Sequence, residues 1–255
     1  MDNRLLYIPA RTESMNYCGT FLQKNGFRVT FTPSMDVTDL LLPAPAFKPG
    51  GILADGQDLQ VVLSRIPNNV TVIGGNLNIA LLNGYQTLDL LQNEEYLARN
   101  AAITAECALR IATQELPVTL LDAPILILGW GRIGKCLVKL LNGIGCDISV
   151  AARKEADLAM ISALGFHPVP YPSLSTQLKD CRIVFNTVPA EVLPADITKR
   201  LPANCRKIDL ASLPGIGGND VIHARGLPGK MAPESSGRLI GETILHYLFQ
   251  QEVIT

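Results

Sequence analysis

The chain has 255 residues, with 22 Lys plus Arg against 23 Asp plus Glu, for a formal net charge of −1, and 47% of its residues are apolar. That composition excludes a disordered chain. The balanced charge excludes capture of nucleic acid by a wholesale basic surface. Function therefore resides in a site on one or two folded domains.

The first apolar run, Leu5-Leu6-Tyr7-Ile8, is closed by Pro9, which fits neither a secretory signal nor a membrane span. No window reaches about 18 uninterrupted apolar residues, so a cytoplasmic protein with no membrane partner is expected. Short strands are expected over 5–8, 27–31, 37–42 and 70–73, with helices over 14–25 and 57–66. The turn-rich patch Pro43 to Gly51 reads as a loop. Strands alternating with helices pair in parallel. Residues 1–92 thus read as a smaller, flavodoxin-like α/β domain on the substrate side.

Residues 93–115 contain no Gly or Pro and form one long helix, with Asn93 as its cap. Leu97, Ala101, Ala105, Ala108 and Ala112 give it a small-residue face suited to close packing. The domain boundary is placed at its start, so that 93–255 forms the dinucleotide-binding domain.

From Pro124 onward the pattern is regular. Strands are expected over 125–128, 147–152, 167–170, 182–188 and 207–210. Helices are expected over 132–143, 155–164, near 173–179, and over 234–250, where Leu239, Ile240, Ile244, Leu245 and Leu248 share one side. This is a doubly wound parallel (Rossmann) sheet written as sequence. Six cysteines, at 18, 107, 136, 146, 181 and 205, form no CxxC pair and read as small buried hydrophobes in a reducing compartment.

The strongest motif is Gly129-Trp130-Gly131-Arg132-Ile133-Gly134, which follows an apolar strand and opens an apolar helix. Gly129 allows the tight turn, Gly131 lets a pyrophosphate approach the backbone, and Gly134 lets helix and strand pack closely. Orphan N–H groups at the helix start would hold the phosphate. After the next strand, where an NAD enzyme usually carries Asp or Glu, stand Arg153 and Lys154. A guanidinium fork and a second cation suit a 2′-phosphate, so NADP rather than NAD is expected.

Asn186-Thr187-Val188-Pro189 follows the strand Ile183-Val184-Phe185 and lies where a loop would touch the nicotinamide ribose and ring. Asp209 ends the next strand, either beside the cofactor or only tying down its loop, and Ser212 follows it. The three histidines, His167, His223 and His246, have no metal-ligand spacing, and no GxSxG elbow is present.

Several segments, taken in order from about residue 93 to 245, resemble the A chain of dipicolinate synthase. They are Arg99 to Glu106, the glycine turn, Val150-Ala151-Ala152-Arg153-Lys154, Phe185 to Ala190, Asp209-Leu210-Ala211-Ser212 and Gly226-Leu227-Pro228-Gly229-Lys230-Met231-Ala232-Pro233. The resemblance implies a two-domain dehydrogenase-like fold and NADP-dependent oxidation of dihydrodipicolinate to dipicolinate (pyridine-2,6-dicarboxylate) in sporulation. It also implies a second, flavoprotein-like subunit. Two segments depart from the family. Ile8-Pro9-Ala10-Arg11 stands where a turn rich in Gly and Asp is expected. Gly215 to Ala224 is short, so that a strand there would be trimmed or lost.

A dicarboxylate needs anion sites. The candidates are Lys230, Ser212 and the hydroxyls and N–H groups of Ser235 and Ser236, where the last helix begins, with Arg11 as a lesser extra. Asn100 and Thr104, at i and i+4 on the long helix, face the same way. No general base is evident. The alternatives are a non-catalytic NAD(P)-binding subunit or sensor, and a 2-hydroxyacid dehydrogenase. The latter would want a catalytic histidine, and an arginine where Ser212-Leu213-Pro214-Gly215 stands. The small-residue helix face and the apolar 239–248 segment suit a homo-oligomer.

Overall fold

Two all-parallel sheets carry the fold in the computed structural model, which describes residues 4–48, 52–114 and 116–254. The first comprises β1 (Leu5–Tyr7), β2 (Arg28–Thr30), β3 (Asp39–Leu41), β4 (Thr71–Gly74) and β5 (Gln86–Asp89), in the order β2-β1-β3-β4-β5. That is the flavodoxin-like order. The second comprises β6 (Ile125–Leu128), β7 (Ile148–Ala152), β8 (His167–Pro170), β9 (Ile183–Asn186), β10 (Arg206–Asp209) and β11 (Val221–His223), in the order β11-β10-β9-β6-β7-β8. This is the doubly wound dinucleotide-binding arrangement. The helices are α1 (Glu13–Lys24), α2 (Leu59–Leu63), α3 (Glu94–Thr113), α4 (Arg132–Ile144), α5 (Glu155–Ala163), α6 (Ala195–Thr198), α7 (Leu227–Met231) and α8 (Pro233–Ile254). Among the described residues no helix is long and apolar enough to cross a membrane.

The chain divides into two units: Met1–Asn100 with Pro228–Thr255, and Ala101–Leu227. The boundary falls inside α3 rather than at residue 93. Asn93 caps that helix as expected, its Oδ1 accepting from the Tyr96 N–H at 2.8 Å. Residues 228–255, expected with the dinucleotide-binding domain, instead belong to the first unit, which is therefore not the smaller of the two. The reason lies in two glycines one turn apart on α8. A Cβ on Gly237 would meet the Cys18 nitrogen and the Tyr17 Cβ at 2.8 Å, and one on Gly241 would meet the Phe21 ring at 2.5 Å. Glycine at both positions lets α8 lie directly against α1.

In the first unit α1 starts at the Thr12 cap, whose hydroxyl accepts from the Met15 N–H. The helix expected over 57–66 shortens to α2, capped by Asp58. Strand β5 lies outside the expected set. Gln86-Thr87-Leu88-Asp89 is polar because it is an edge strand, paired only with β4. Pro49, Gly50 and Gly51, part of the expected loop, lie outside the described residues.

In the second unit the central strand β6 is buried along its whole length, as a strand covered on both faces must be. The helix expected near 173–179 is a 3₁₀ turn over Tyr171–Thr176. The strand expected to be trimmed or lost is present as β11, three residues long, with Asp209 opposite His223. All six cysteines are free, and Cys18, Cys107, Cys181 and Cys205 are buried.

Candidate functional site

Strands β6 and β9 lie side by side at the centre of the second sheet, with β7 and β8 on one flank and β10 and β11 on the other. The connections diverge at this point, and the carboxyl ends of strands around such a switch form a ligand crevice. The loops after β6, β7, β9 and β10 meet that edge. They carry Gly129–Gly131, Arg153–Lys154, Thr187–Pro189 and Leu210–Ile216 respectively.

The glycine turn has the backbone geometry that its spacing implied. Gly129 sits at φ +104°, and a Cβ there would meet the Thr187 hydroxyl at 2.5 Å and the Val188 Cγ2 at 2.8 Å. It therefore allows both the turn and the close approach of the neighbouring loop. A Cβ on Gly134 would run into the Gly129 carbonyl, so only glycine lets α4 sit this near its strand. Around Gly131, the N-cap of α4, nothing lies within 4 Å of where a Cβ would be, and no side chain caps the helix. The amides of Arg132, Ile133 and Gly134 precede the first intrahelical donor, Lys135 N–H to the Gly131 carbonyl at 3.0 Å. Open backbone at a helix start fits a pyrophosphate. The Trp130 ring lines a groove of about 490 Å³ with Val138, Met160, Leu164 and Phe166. Its contribution to the turn is its backbone amide.

At the end of β7, Arg153 and Lys154 are both exposed, and neither is held in an ion pair among the described residues. Next to them, at the end of β8, stands Tyr171. Burial pushes its hydroxyl above the usual phenol range, and the Arg153 charge pulls the other way.

The ends of β9 and β10 are tied together from within. Asn186 is fully buried and Asp209 is 1% exposed. The Asn186 carboxamide N–H donates to Asp209 Oδ1 at 2.8 Å and to the Val188 carbonyl at 3.0 Å, and its Oδ1 accepts from the Val188 N–H at 3.0 Å. Asp209 also accepts from the N–H groups of Ala211, Gly215 and Ile216. Of the two roles open for Asp209, tying down its loop is visible in these bonds. The Thr187 hydroxyl donates to the Leu128 carbonyl at 2.9 Å, which locks its loop to the end of β6. Val188 is half-buried and Pro189 exposed at the rim.

His223, not singled out from the sequence, ends β11 with its Nδ1 4.0 Å from Asp209 Oδ2 and half of its side chain exposed. Its signal was the strand register, which no local motif reveals. The other histidines stand elsewhere: His167 begins β8 beside Asp147, and His246 lies on α8 near Glu95.

The residues expected to bind substrate fall in both units. Thr104 and Ser212 belong to the second, Asn100, Lys230, Ser235 and Ser236 to the first. Lys230 and Ser235 are exposed, Ser212 is exposed, and Thr104 is buried. The Ser236 N–H already donates to the Ala232 carbonyl at 2.9 Å, and its side chain is buried, so it is no open anion donor; the helix start lies earlier, at Pro233. Arg11 follows β1 with its guanidinium 5.2 Å from the Phe31 ring centroid.

No family model matches the chain. In sequence it is similar to the A chain of dipicolinate synthase of Bacillus subtilis (strain 168), 25% identical over 233 residues that span 83% of this chain and 78% of that protein. Among solved structures, the corresponding dipicolinate synthase chain from Bacillus halodurans superposes with a TM-score of 0.83 at 22% identity, covering 96% of this chain and 98% of the other. The one from Bacillus subtilis gives 0.83 at 21%, covering 100% and 99%. A transhydrogenase from Sinorhizobium meliloti gives 0.72 at 12%, covering 97% and 94%. In both sequence and fold the chain thus resembles the A chain of dipicolinate synthase, and its fold is also that of the transhydrogenase.

Proposed function

We propose that the chain is an NADP-dependent dehydrogenase that oxidises dihydrodipicolinate to dipicolinate during sporulation, together with a second, flavoprotein-like subunit. The observation that carries the cofactor reading is the open backbone at Gly131 beside Arg153 and Lys154, two cations held in no ion pair among the described residues. The similarity to the dipicolinate synthase A chain carries the substrate.

In this reading the amides of the 129–134 turn hold the pyrophosphate, and Arg153 and Lys154 meet the 2′-phosphate. Thr187, Val188 and Pro189 border the nicotinamide end, on a loop that Asn186 and Asp209 keep in place. When bound, the nicotinamide supplies the acceptor for a hydride from a ring carbon. Loss of one proton then completes the aromatic ring. His223 is the histidine at the carboxyl edge of the second sheet, and it is assigned as the group that takes this proton. Ser212, exposed in the loop after β10, is assigned to a carboxylate of the substrate.

The test is direct. The chain is mixed with freshly prepared dihydrodipicolinate and either NADP or NAD, and absorbance of the reduced nicotinamide is followed. A rise faster with NADP supports the reading. Cofactor binding without turnover, even when the second subunit is supplied, would reassign the chain as a non-catalytic cofactor-binding protein.

A further inference from the structure

We propose that Tyr171 is a second determinant of cofactor choice, its hydroxyl donating to the same 2′-phosphate that Arg153 meets. This rests on the NADP reading above and adds a residue that the glycine fingerprint and the strand-end cations leave out.

The placement follows from strand register. Strands β7 and β8 pair Ala151 with Val169 and Ala152 with Pro170, and Arg153 and Tyr171 are the residues that directly follow the two strands at the same edge of the sheet. Ala151 and Val169 belong to one apolar cluster with Leu126, Leu128 and Leu174. Tyr171 packs against that cluster and is itself only partly buried, so its ring is held in place. Its residence beside Arg153 is felt electrostatically by the hydroxyl, while burial keeps that hydroxyl protonated and so able to donate.

The chemistry suits a phosphate monoester. A guanidinium fork satisfies two phosphate oxygens and Lys154 adds a charge, and three oxygens with several lone pairs still accept a further donor. A neutral phenol supplies one without adding charge, and a ring held by packing loses little freedom in doing so. NAD carries only a hydroxyl at this position, so the donor at Tyr171 discriminates in favour of NADP.

Binding of NADP and of NAD to the full chain is measured by calorimetry for wild type, Tyr171→Phe and Arg153→Ala. The Phe variant keeps the ring and its packing and removes only the hydroxyl. The expected result is roughly tenfold weaker NADP binding in Tyr171→Phe with NAD binding changed by less than about twofold. Equal loss for both cofactors would mark Tyr171 as merely structural and overturn the proposal. So would an unchanged Phe variant in a protein whose NADP preference disappears in Arg153→Ala. A wild-type chain that binds NAD as tightly as NADP would overturn the cofactor reading itself, a result distinct from either.

Discussion

The Asn186 carboxamide and the Asp209 carboxylate meet at 2.8 Å inside the second sheet, joining the carboxyl ends of β9 and β10. Between them they accept or donate bonds to the backbone of Val188, Ala211, Gly215 and Ile216, so two loops at the crevice share one buried support. Asp209→Ala leaves those donors facing a buried void. A buried donor without a partner costs about 1–3 kcal/mol, so a loss of roughly 3 kcal/mol or more is expected in urea unfolding. Cofactor affinity is expected to fall with it, because Asn186, which holds Val188, loses its Asp209 partner. Unchanged unfolding would mean the loops are held by something else.

Two glycines of the 129–134 turn should respond in opposite ways. Gly131→Ala meets open space at φ −83°, a conformation alanine adopts, so the fold is expected to remain intact. In the proposed cofactor site its methyl would stand in the approach of the pyrophosphate, and cofactor affinity should fall by about tenfold or more. Gly134→Ala drives a methyl into the Gly129 carbonyl and is expected to lower stability by about 1–3 kcal/mol. Thermal unfolding and cofactor titration, run on both variants, separate the two effects. The single tryptophan, Trp130, sits within the turn and reports the titration by its fluorescence.

What could be read before the fold was known follows from how local each signal is. The glycine turn was legible because its geometry is set by six consecutive residues and the strand before them. The cations after β7 were legible for the same reason. The approach of His223 to Asp209 was not, since it depends on β11 lying beside β10, and β11 is only three residues long. The assignment of α8 failed on a related point. Its apolar side, Leu239 to Leu248, announced a buried helix but not which partner it buries against. Gly237 and Gly241 carry that information, yet in sequence a helix glycine reads only as a weak position. Strand β5 escaped because an edge strand ending in a capping aspartate looks like a loop; Asp89 accepts from the N–H groups of Asn76, Leu77 and Leu91.

The contact of α8 with α1 makes its own prediction. Gly237→Ala places a methyl against the Cys18 nitrogen and the Tyr17 Cβ, where backbone cannot give way cheaply. Destabilisation of about 1–3 kcal/mol is expected, read as a lower midpoint in urea. The substitution lies in the first unit and the glycine turn in the second, so cofactor binding by the variant should hold while its stability falls. An Ala variant as stable as wild type would show that the two helices are not closely packed.

The buried thiols predict an alkaline instability with a defined sign. Burial pushes the Cys181 thiol up to about 11, helped by the negative charges of Asp180 and Asp147. Burial likewise pushes the Cys205 thiol up to about 12. In the unfolded chain each ionises near about 8.5. Between that value and the folded one the native state binds more protons than the unfolded state, so stability falls as pH rises and is flat below about pH 8. Each pH unit in the window removes about 1.4 kcal/mol per thiol. The urea midpoint should therefore drop steeply from about pH 9 to 11, and Cys181→Ala with Cys205→Ala should make that slope shallower while lowering stability at neutral pH, with the buried Cys18 and Cys107 thiols, also raised by burial, supplying the remainder. At about pH 8 iodoacetamide should reach the partly exposed Cys136 and Cys146 well before Cys18, Cys107, Cys181 and Cys205, as peptide mapping would show. Equal alkylation of all six in the native protein would mean the interior of both units opens faster than this packing allows.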